Sequence, residues 1–181
     1  MLEIKPDRSF SDVMERALYN TVLAGMAADG KSFFYVNPLE VYPKACHEDA
    51  RKFHVKPIRQ KWFGCACCPP NIARLLSSLA MYAYTENEDT LFAHLFVGGS
   101  VKKDVNGKEL SFEVTTDMPW QGTTVYSCTN EQSVHGSLAI RIPEWSRSFK
   151  VSGVTGELDE NSAQLRDCLL YTSPSPRDGA T

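Results

Sequence analysis

The spacing of apolar residues along this 181-residue chain changes near residue 86, and that change restricts the fold more than anything else in the sequence. Before it the period is helical. Phe10, Val13, Met14, Ala17, Leu18 and Val22 recur at one helix face, with Asp7 or Ser9 placed to cap it. Ile72, Leu75, Leu76, Leu79 and Ala83 form a second stripe. It is entered through Pro69 and Pro70, which a first turn tolerates, and ends near Tyr84. Between the stripes, Asp29-Gly30 reads as a turn and Ser32 to Asn37 as a short extended segment ending at Pro38. Residues 38–64 read as irregular, a long connection of the kind that usually carries function. After the change the period is two. Leu91 to Val97 reads as a strand buried on both faces, Gly98-Gly99 as a turn, and Asn106-Gly107 as a hairpin. Glu109–Thr115, Thr123–Cys128 and Ser137–Ile142 follow at sandwich-like spacing. The expected class is mixed α and β, with no internal repeat.

Charge narrows the partners. Lys and Arg number 19 against 22 Asp and Glu, a net −3, so no overall basic field invites nucleic acid. No apolar run approaches the roughly 20 residues of a membrane span, and the N-terminus has no signal-peptide pattern. The chain's last stretch differs from all before it. Cys168-Leu-Leu-Tyr-Thr-Ser-Pro-Ser-Pro-Arg-Asp178 resembles a translated sequencing adapter, so residues 167–181 are expected to be a disordered tail and Cys168 to carry no chemistry. On that reading the natural protein continues beyond this point. The abrupt first helix points to a larger protein upstream as well.

Three of the six cysteines crowd into Cys65-Ala-Cys67-Cys68. A disulfide scaffold spreads its cysteines to staple distant loops. A cluster this tight points to metal or thiol chemistry, and to a reducing compartment or to burial that protects the thiols; free clustered cysteines favour a cytoplasmic home. Cys67 and Cys68 directly precede the proline-started helix, whose free N–H groups and positive end favour thiolate over thiol. A thiolate attacks carbon or binds zinc. Zinc wants about four ligands, and no second pair follows at zinc-finger spacing. From the residues alone, three readings stand: buried structural cysteines, metal ligands, and a catalytic or redox thiol. Arg74 either adds positive charge to that helix or is simply solvated.

Trp62-Phe63, Cys67-Cys68-Pro-Pro-Asn-Ile-Ala-Arg-Leu-Leu76, Glu15-Arg-Ala-Leu-Tyr-Asn20, Gly30 to Glu40 and Arg141-Ile-Pro-Glu-Trp145 together resemble, in order, glycoside hydrolase family 127, the β-L-arabinofuranosidases. The likeness covers about residues 1–150. It implies the C-terminal portion of an (α/α)6 barrel over residues 1–85, followed by an incomplete antiparallel β-sandwich module over 86–166. It implies a retaining glycosidase that removes β-L-arabinofuranosyl groups from plant-type glycans, with an arabinose-containing oligosaccharide or glycoprotein glycan as substrate. Carried over by position, Cys67 is the nucleophile and a zinc ligand, Cys68 is a second zinc ligand, and Tyr35 contacts the sugar. Cys65 receives no role. A thiolate would thus replace the usual nucleophilic carboxylate. The family's upstream Glu-x-Cys pair and its acid/base glutamate have no counterpart in this sequence, so the chain alone is expected to lack activity and to bind zinc weakly.

Other residues carry two readings each. His94, between apolar neighbours, reads as a structural histidine, and Cys46-His47-Glu48-Asp49 as a polar loop before a metal site. Trp62 and Phe63 wall a sugar pocket or belong to a core. Glu40 serves substrate or a structural hydrogen bond, and Trp120 and Trp145 read as core anchors. Two other functions compete with the glycosidase: a non-catalytic carbohydrate-binding β-sandwich, and a structural zinc or thiol-redox module.

Overall fold

The computed structural model describes residues 1–149 except 38, 39, 53, 66, 130–133 and 135. The segment end at Pro38, His135, and the stretch from 150 onward with its tail reading and Cys168 lie outside the described residues. Contacts divide the chain into two units, Met14–Leu79 and Met1–Val13 with the chain from Ala80 onward. Among the described residues no helix is long and apolar enough to cross a membrane.

In the second of these units, helix α4 (Ala80–Ala83) leads into strands β1 (Tyr84–Glu86), β2 (Thr90–Ala93), β3 (Gly99–Val105), β4 (Lys108–Thr116), β5 (Thr124–Cys128) and β6 (Ser137–Ile140). They form two three-stranded sheets, ordered β1-β2-β6 and β3-β4-β5. Asn106 and Gly107 are the two loop residues between β3 and β4, with φ of 55° and 77°. Positive φ at both positions is the turn that suits the right-handed twist of paired strands, and Asn-Gly supplies it with little strain. Leu91, Phe96, Val105, Leu110, Phe112, Val114, Leu138 and Ile140, drawn from both sheets and the β2–β3 connection, share one apolar cluster.

Three expectations change here. The apolar run from Leu91 is a strand only to Ala93, because the His94 and Leu95 N–H groups both donate to the Ala83 carbonyl and leave the ladder. β2 and β6 pair in parallel, whereas the expected module was antiparallel. β6 returns to its sheet after β5 in the other, so no tight turn forces it to run antiparallel. Trp120 and Trp145 are not core anchors: they are 84% and 44% exposed. Trp120 sits in a turn after β4 whose N–H groups close onto the Asp117 carbonyl, and the turn projects the indole outward.

Helix α1 (Arg8–Arg16) is capped by Asp7. The Asp7 carboxylate accepts from the Ser9 N–H and hydroxyl and pairs with Lys5. Lys5 first, then Ser9, holds that carboxyl well below the usual range. The face of α1 that is buried is not the apolar stripe. Ser11 and Asp12 are buried while Val13 is 64% exposed. The Ser11 hydroxyl bonds His94 Nδ1 at 3.0 Å, and Asp12 pairs with the fully buried Arg141. The Glu144 N–H also donates to Asp12, so two residues of the Arg141-Ile-Pro-Glu-Trp145 motif grip the helix. Polar groups tolerate burial when they are paired in this way.

His94 is the structural histidine its surroundings implied. Thr85 bonds its Nε2 at 2.7 Å, so hydroxyls face both ring nitrogens and serve the neutral ring. Burial, then the nearby Arg141 charge, lowers it from 6.5 to about 4. A base depressed in the folded state costs stability as pH falls through its unfolded value. Stability is therefore expected to be flat above pH 6.5 on this account and to fall by about 1–2 kcal/mol by pH 5. Urea unfolding at pH 7 and 5 measures it. His94→Gln should shrink the difference, and an unchanged difference would show that His94 does not carry it.

Candidate functional site

The other unit, Met14–Leu79, builds the site. After α1, the chain widens into a π-helical turn (Ala17–Val22) and tightens into a 3-10 turn (Leu23–Gly25). The wider turn rotates later residues off the predicted stripe, and of its members only Leu18 is buried. Phe33 pairs on both sides, in isolated bridges with Met26 and Gln60. The Phe34 N–H donates to the Gly25 carbonyl, and the Arg59 guanidinium lies 4.7 Å over the Phe34 ring. These contacts fix the backbone that carries Tyr35. The 38–64 connection is not wholly irregular: helix α2 (Pro43–Glu48) and a short 3-10 turn (Ala50–Lys52) interrupt it. Cys46 is buried on α2, and among the described residues no three His, Cys, Asp or Glu groups gather as a metal cluster.

Helix α3 (Cys68–Ser77) carries the cysteines at its start. Cys67 is its N-cap residue, and the two prolines occupy the first turn, where a missing N–H costs nothing. The Asn71 side-chain amide donates to the Cys67 carbonyl at 2.7 Å, and Arg74 donates to the Asn71 amide oxygen at 2.6 Å. Arg74 therefore steadies the turn through Asn71. The second stripe stops earlier than its spacing implied: the Ser77 and Ser78 hydroxyls bond carbonyls one turn back, and α3 ends there. No residue of α3 is buried.

Cys67 and Cys68 sulfurs lie 3.6 Å apart, and Cys68 Sγ lies 3.8 Å from the Tyr35 carbonyl oxygen. The Tyr35 phenol is raised above its ordinary range. The charge on Cys67 is the largest cause and that on Cys65 the next, followed by burial. The structure thus brings Tyr35, Cys67 and Cys68 together. Cys65 and Cys67 are exposed and Cys68 half-buried, which removes the reading of all three as buried structural thiols.

A cleft of about 460 Å³ opens beside them, lined by Tyr35, His54, Lys56, Trp62, Phe63 and Cys65 among others. That size falls within the usual range for small-molecule sites. Phe63 packs 5.4 Å from Phe33 and 5.7 Å from Tyr35, while His54 meets Tyr35 edge-on. Trp62 is 66% exposed, so it belongs to the cleft wall and not to a core. The Glu40 carboxylate is the main cause that raises the Tyr42 phenol, which places the two residues near one another. Sequence reasoning missed Asn71, His54 and Lys56. Only Asn71 left a signal, since it follows Cys67 by four residues, where a helical amide reaches back to a carbonyl.

Thiol pairs are soft ligands suited to zinc. Two sulfurs at adjacent corners of a zinc tetrahedron, with bonds near 2.3 Å, stand about 3.8 Å apart. The observed 3.6 Å fits that geometry for half a coordination shell.

Residues 1–81 match the family model of the β-L-arabinofuranosidase GH127 catalytic domain, and residues 90–169 that of the GH127 middle domain. The chain is 36% identical over 176 residues to the non-reducing end β-L-arabinofuranosidase of Bifidobacterium longum subsp. longum, covering 94% of this chain and 26% of that protein. It is similar to the crystal structure of a GH127 β-L-arabinofuranosidase from Geobacillus stearothermophilus T6. There the TM-score is 0.80 and the identity 46%, over 93% of this chain and 26% of that one. A GH127 β-arabinofuranosidase structure matches with a TM-score of 0.66 at 31% identity, over 84% of this chain and 23% of that one. The chain therefore spans about a quarter of the length of these relatives.

Proposed function

The chain belongs to glycoside hydrolase family 127, and from that premise we propose that it is the thiol-bearing segment of a retaining β-L-arabinofuranosidase acting on arabinofuranose-containing glycans. One observation carries this reading: two thiols 3.6 Å apart at a helix start, with the Tyr35 carbonyl 3.8 Å from Cys68 and an aromatic cleft alongside. Residues 1–85 would then be the last part of an (α/α)6 barrel and residues 86–166 a β-sandwich module. The apolar cluster shared by both sheets supports the second assignment. The exposed free thiols suit a reducing compartment.

Cys67 is the nucleophile. Its sulfur attacks the anomeric carbon and the aglycone oxygen departs, leaving a glycosyl-cysteine that water hydrolyses. Cys67 and Cys68 would hold zinc, which keeps thiols deprotonated near neutral pH and makes them better leaving groups. Tyr35, whose phenol the neighbouring thiols hold in its protonated form, would steer the Cys67 sulfur toward the sugar. Trp62 and Phe63 line the cleft and would supply aromatic surface for the apolar face of the sugar. Asn71 and Arg74 hold the Cys67 backbone in place.

Two thiolates give half of zinc's four ligands, and no proton donor stands among the assigned residues. The 181-residue chain by itself is therefore expected to bind zinc weakly and to leave an arabinofuranoside intact. Cys67→Ala and Cys68→Ala should each weaken zinc binding by at least about tenfold, since even outer partners of a ligand cost that much. A competition titration against a chromophoric chelator measures it. Zinc binding unchanged in both variants, or arabinofuranoside hydrolysis by the chain that is lost on Cys67→Ala, would sink this part of the reading.

A further inference from the structure

From Ala50 to Thr85 the sequence contains no Asp or Glu, although the net charge of the chain is −3. The same stretch carries Arg51, Lys52, Lys56, Arg59, Lys61 and Arg74. Its arginines are engaged within the fold: Arg51 with Asp49, Arg59 with the Ala24 carbonyl and the Phe34 ring, and Arg74 with Asn71. Lys56 instead lines the aromatic cleft, and among the described residues no carboxylate pairs with it. We propose that this cleft takes a uronic acid unit of the glycan that carries the arabinofuranosyl group, and that Lys56 selects the unit by its carboxylate. The inference rests on the glycosidase reading only for which glycan delivers that unit.

The make-up of the cleft fits a ring that bears a negative charge. Tyr35, Trp62 and Phe63 supply aromatic surface, Lys56, His54 and Gln60 supply polar groups, and no Asp or Glu stands among the described lining residues. Neutral sugars offer hydroxyl donors, which carboxylates accept well. A cleft without a carboxylate and with an ammonium suits an acceptor-only group instead, and a sugar carboxylate is one. Lys56 is half-buried, so less water screens its charge than at an open surface, and a carboxylate beside it gains more. Gln60 is held in place for the same task. Its backbone bonds Phe33 through both N–H and carbonyl, and its side-chain amide donates to the Ile58 carbonyl at 2.9 Å. An amide carries a second hydrogen and an oxygen besides.

The cleft adjoins the nucleophile without including it: Cys65 is a lining residue and Cys67 is not. An arabinofuranosyl group at the Cys67 sulfur therefore leaves the cleft for the unit next to it. Trp62 is 66% exposed against 38% for Tyr35, so the indole stands at the rim, where the ring of that unit meets it. Phe63 and His54, both packed on Tyr35, form the wall behind. Two features of one sugar are thus read together, its apolar ring face by the aromatics and its carboxylate by Lys56. A neutral unit satisfies only the first, and an acyclic carboxylate only the second. Specificity follows from needing both.

The test needs neither glycosidase activity nor metal. The 181-residue chain, labelled with nitrogen-15, is titrated with methyl β-D-glucuronoside, methyl β-D-glucoside and acetate, and the tryptophan indole N–H signals are followed by NMR. The chain has three tryptophans, and a Trp62→Phe spectrum identifies the Trp62 signal by its loss. The glucuronoside should shift that signal to saturation and leave those of Trp120 and Trp145 in place. It should bind at least about tenfold more tightly than the glucoside, the usual worth of a hydrogen bond to a charged group. Lys56→Met should bring the two sugars to equal affinity, and Lys56→Arg should restore most of the difference, which a merely structural lysine would not predict. Equal affinities in the parent chain, no saturable shift with the glucuronoside, a preference that survives Lys56→Met, or acetate binding as tightly as the glucuronoside would each overturn the proposal. The titration makes no bond to Cys67, so its failure would leave the nucleophile standing, and loss of that role for Cys67 would leave the titration as it is.

Discussion

In an enzyme that carries this segment at the full length of its relatives, Cys67→Ala is expected to lower kcat/KM on an L-arabinofuranoside by roughly 10⁴–10⁶-fold, the usual cost of deleting a covalent nucleophile. The reason lies at the start of α3. Cys67 is exposed at the helix N-terminus, acts more strongly than any other group on the Tyr35 phenol, and stands next to the aromatic cleft. No other described thiol combines those three features. Cys65→Ala, in the same cluster, should leave kcat/KM within about threefold when assayed with reductant, because Cys65 makes no bond to carbon in the proposed reaction. Loss of metal alone is separable from loss of the nucleophile. A glycosyl group delivered by a substrate-like inhibitor with a good leaving group should be found covalently on Cys67 by peptide mapping. A Cys67→Ala enzyme within tenfold of its parent, or the label on another residue, would remove Cys67 from the role.

Arg141→Ala should cost about 3–5 kcal/mol of stability, the range for stripping one partner from a buried ion pair. Arg141 is fully buried, and its guanidinium bonds the Asp12 carboxylate, which is itself 7% exposed. It also lies 5.6 Å over the Phe96 ring. Without it, Asp12 keeps, among the described residues, the Glu144 N–H and a 3.6 Å approach from Arg8. A buried carboxylate so thinly compensated is expensive. Asp12→Ala should fall in the same range, and the double variant should cost less than the two singles added, since removing both charges leaves neither stranded. Urea unfolding followed by circular dichroism reads all three. A loss below about 1 kcal/mol for Arg141→Ala would mean that water reaches the pair, and an additive double variant would mean that the two residues act apart.

The Asn106-Gly107 turn was legible because backbone torsion is a local matter: two residues needing positive φ in succession name their own turn. The start of α3 was legible for the same reason, since Pro69 and Pro70 fit only where N–H groups have no helical partner. The Cys67-Cys68 pair and Tyr35 were named from motifs, and the fold brings them together. The cleft was not legible. Its walls come from residues 35, 54–65 and the pairing of Phe33 with Gln60, and no sequence period announces that pairing. His54 and Lys56 therefore gave no sign of their place.

The α1 face shows where local reasoning ends. A stripe of Phe10, Val13 and Met14 establishes that a helix forms, because spacing alone determines which residues share a face. It does not establish which face is buried. Tertiary structure buried Ser11 and Asp12, for Asp12 found Arg141 at a sequence distance of 129 residues and Ser11 found His94 at 83. A sequence states its short-range preferences directly. Whether a polar group can leave water depends on a partner that only the folded chain brings within reach.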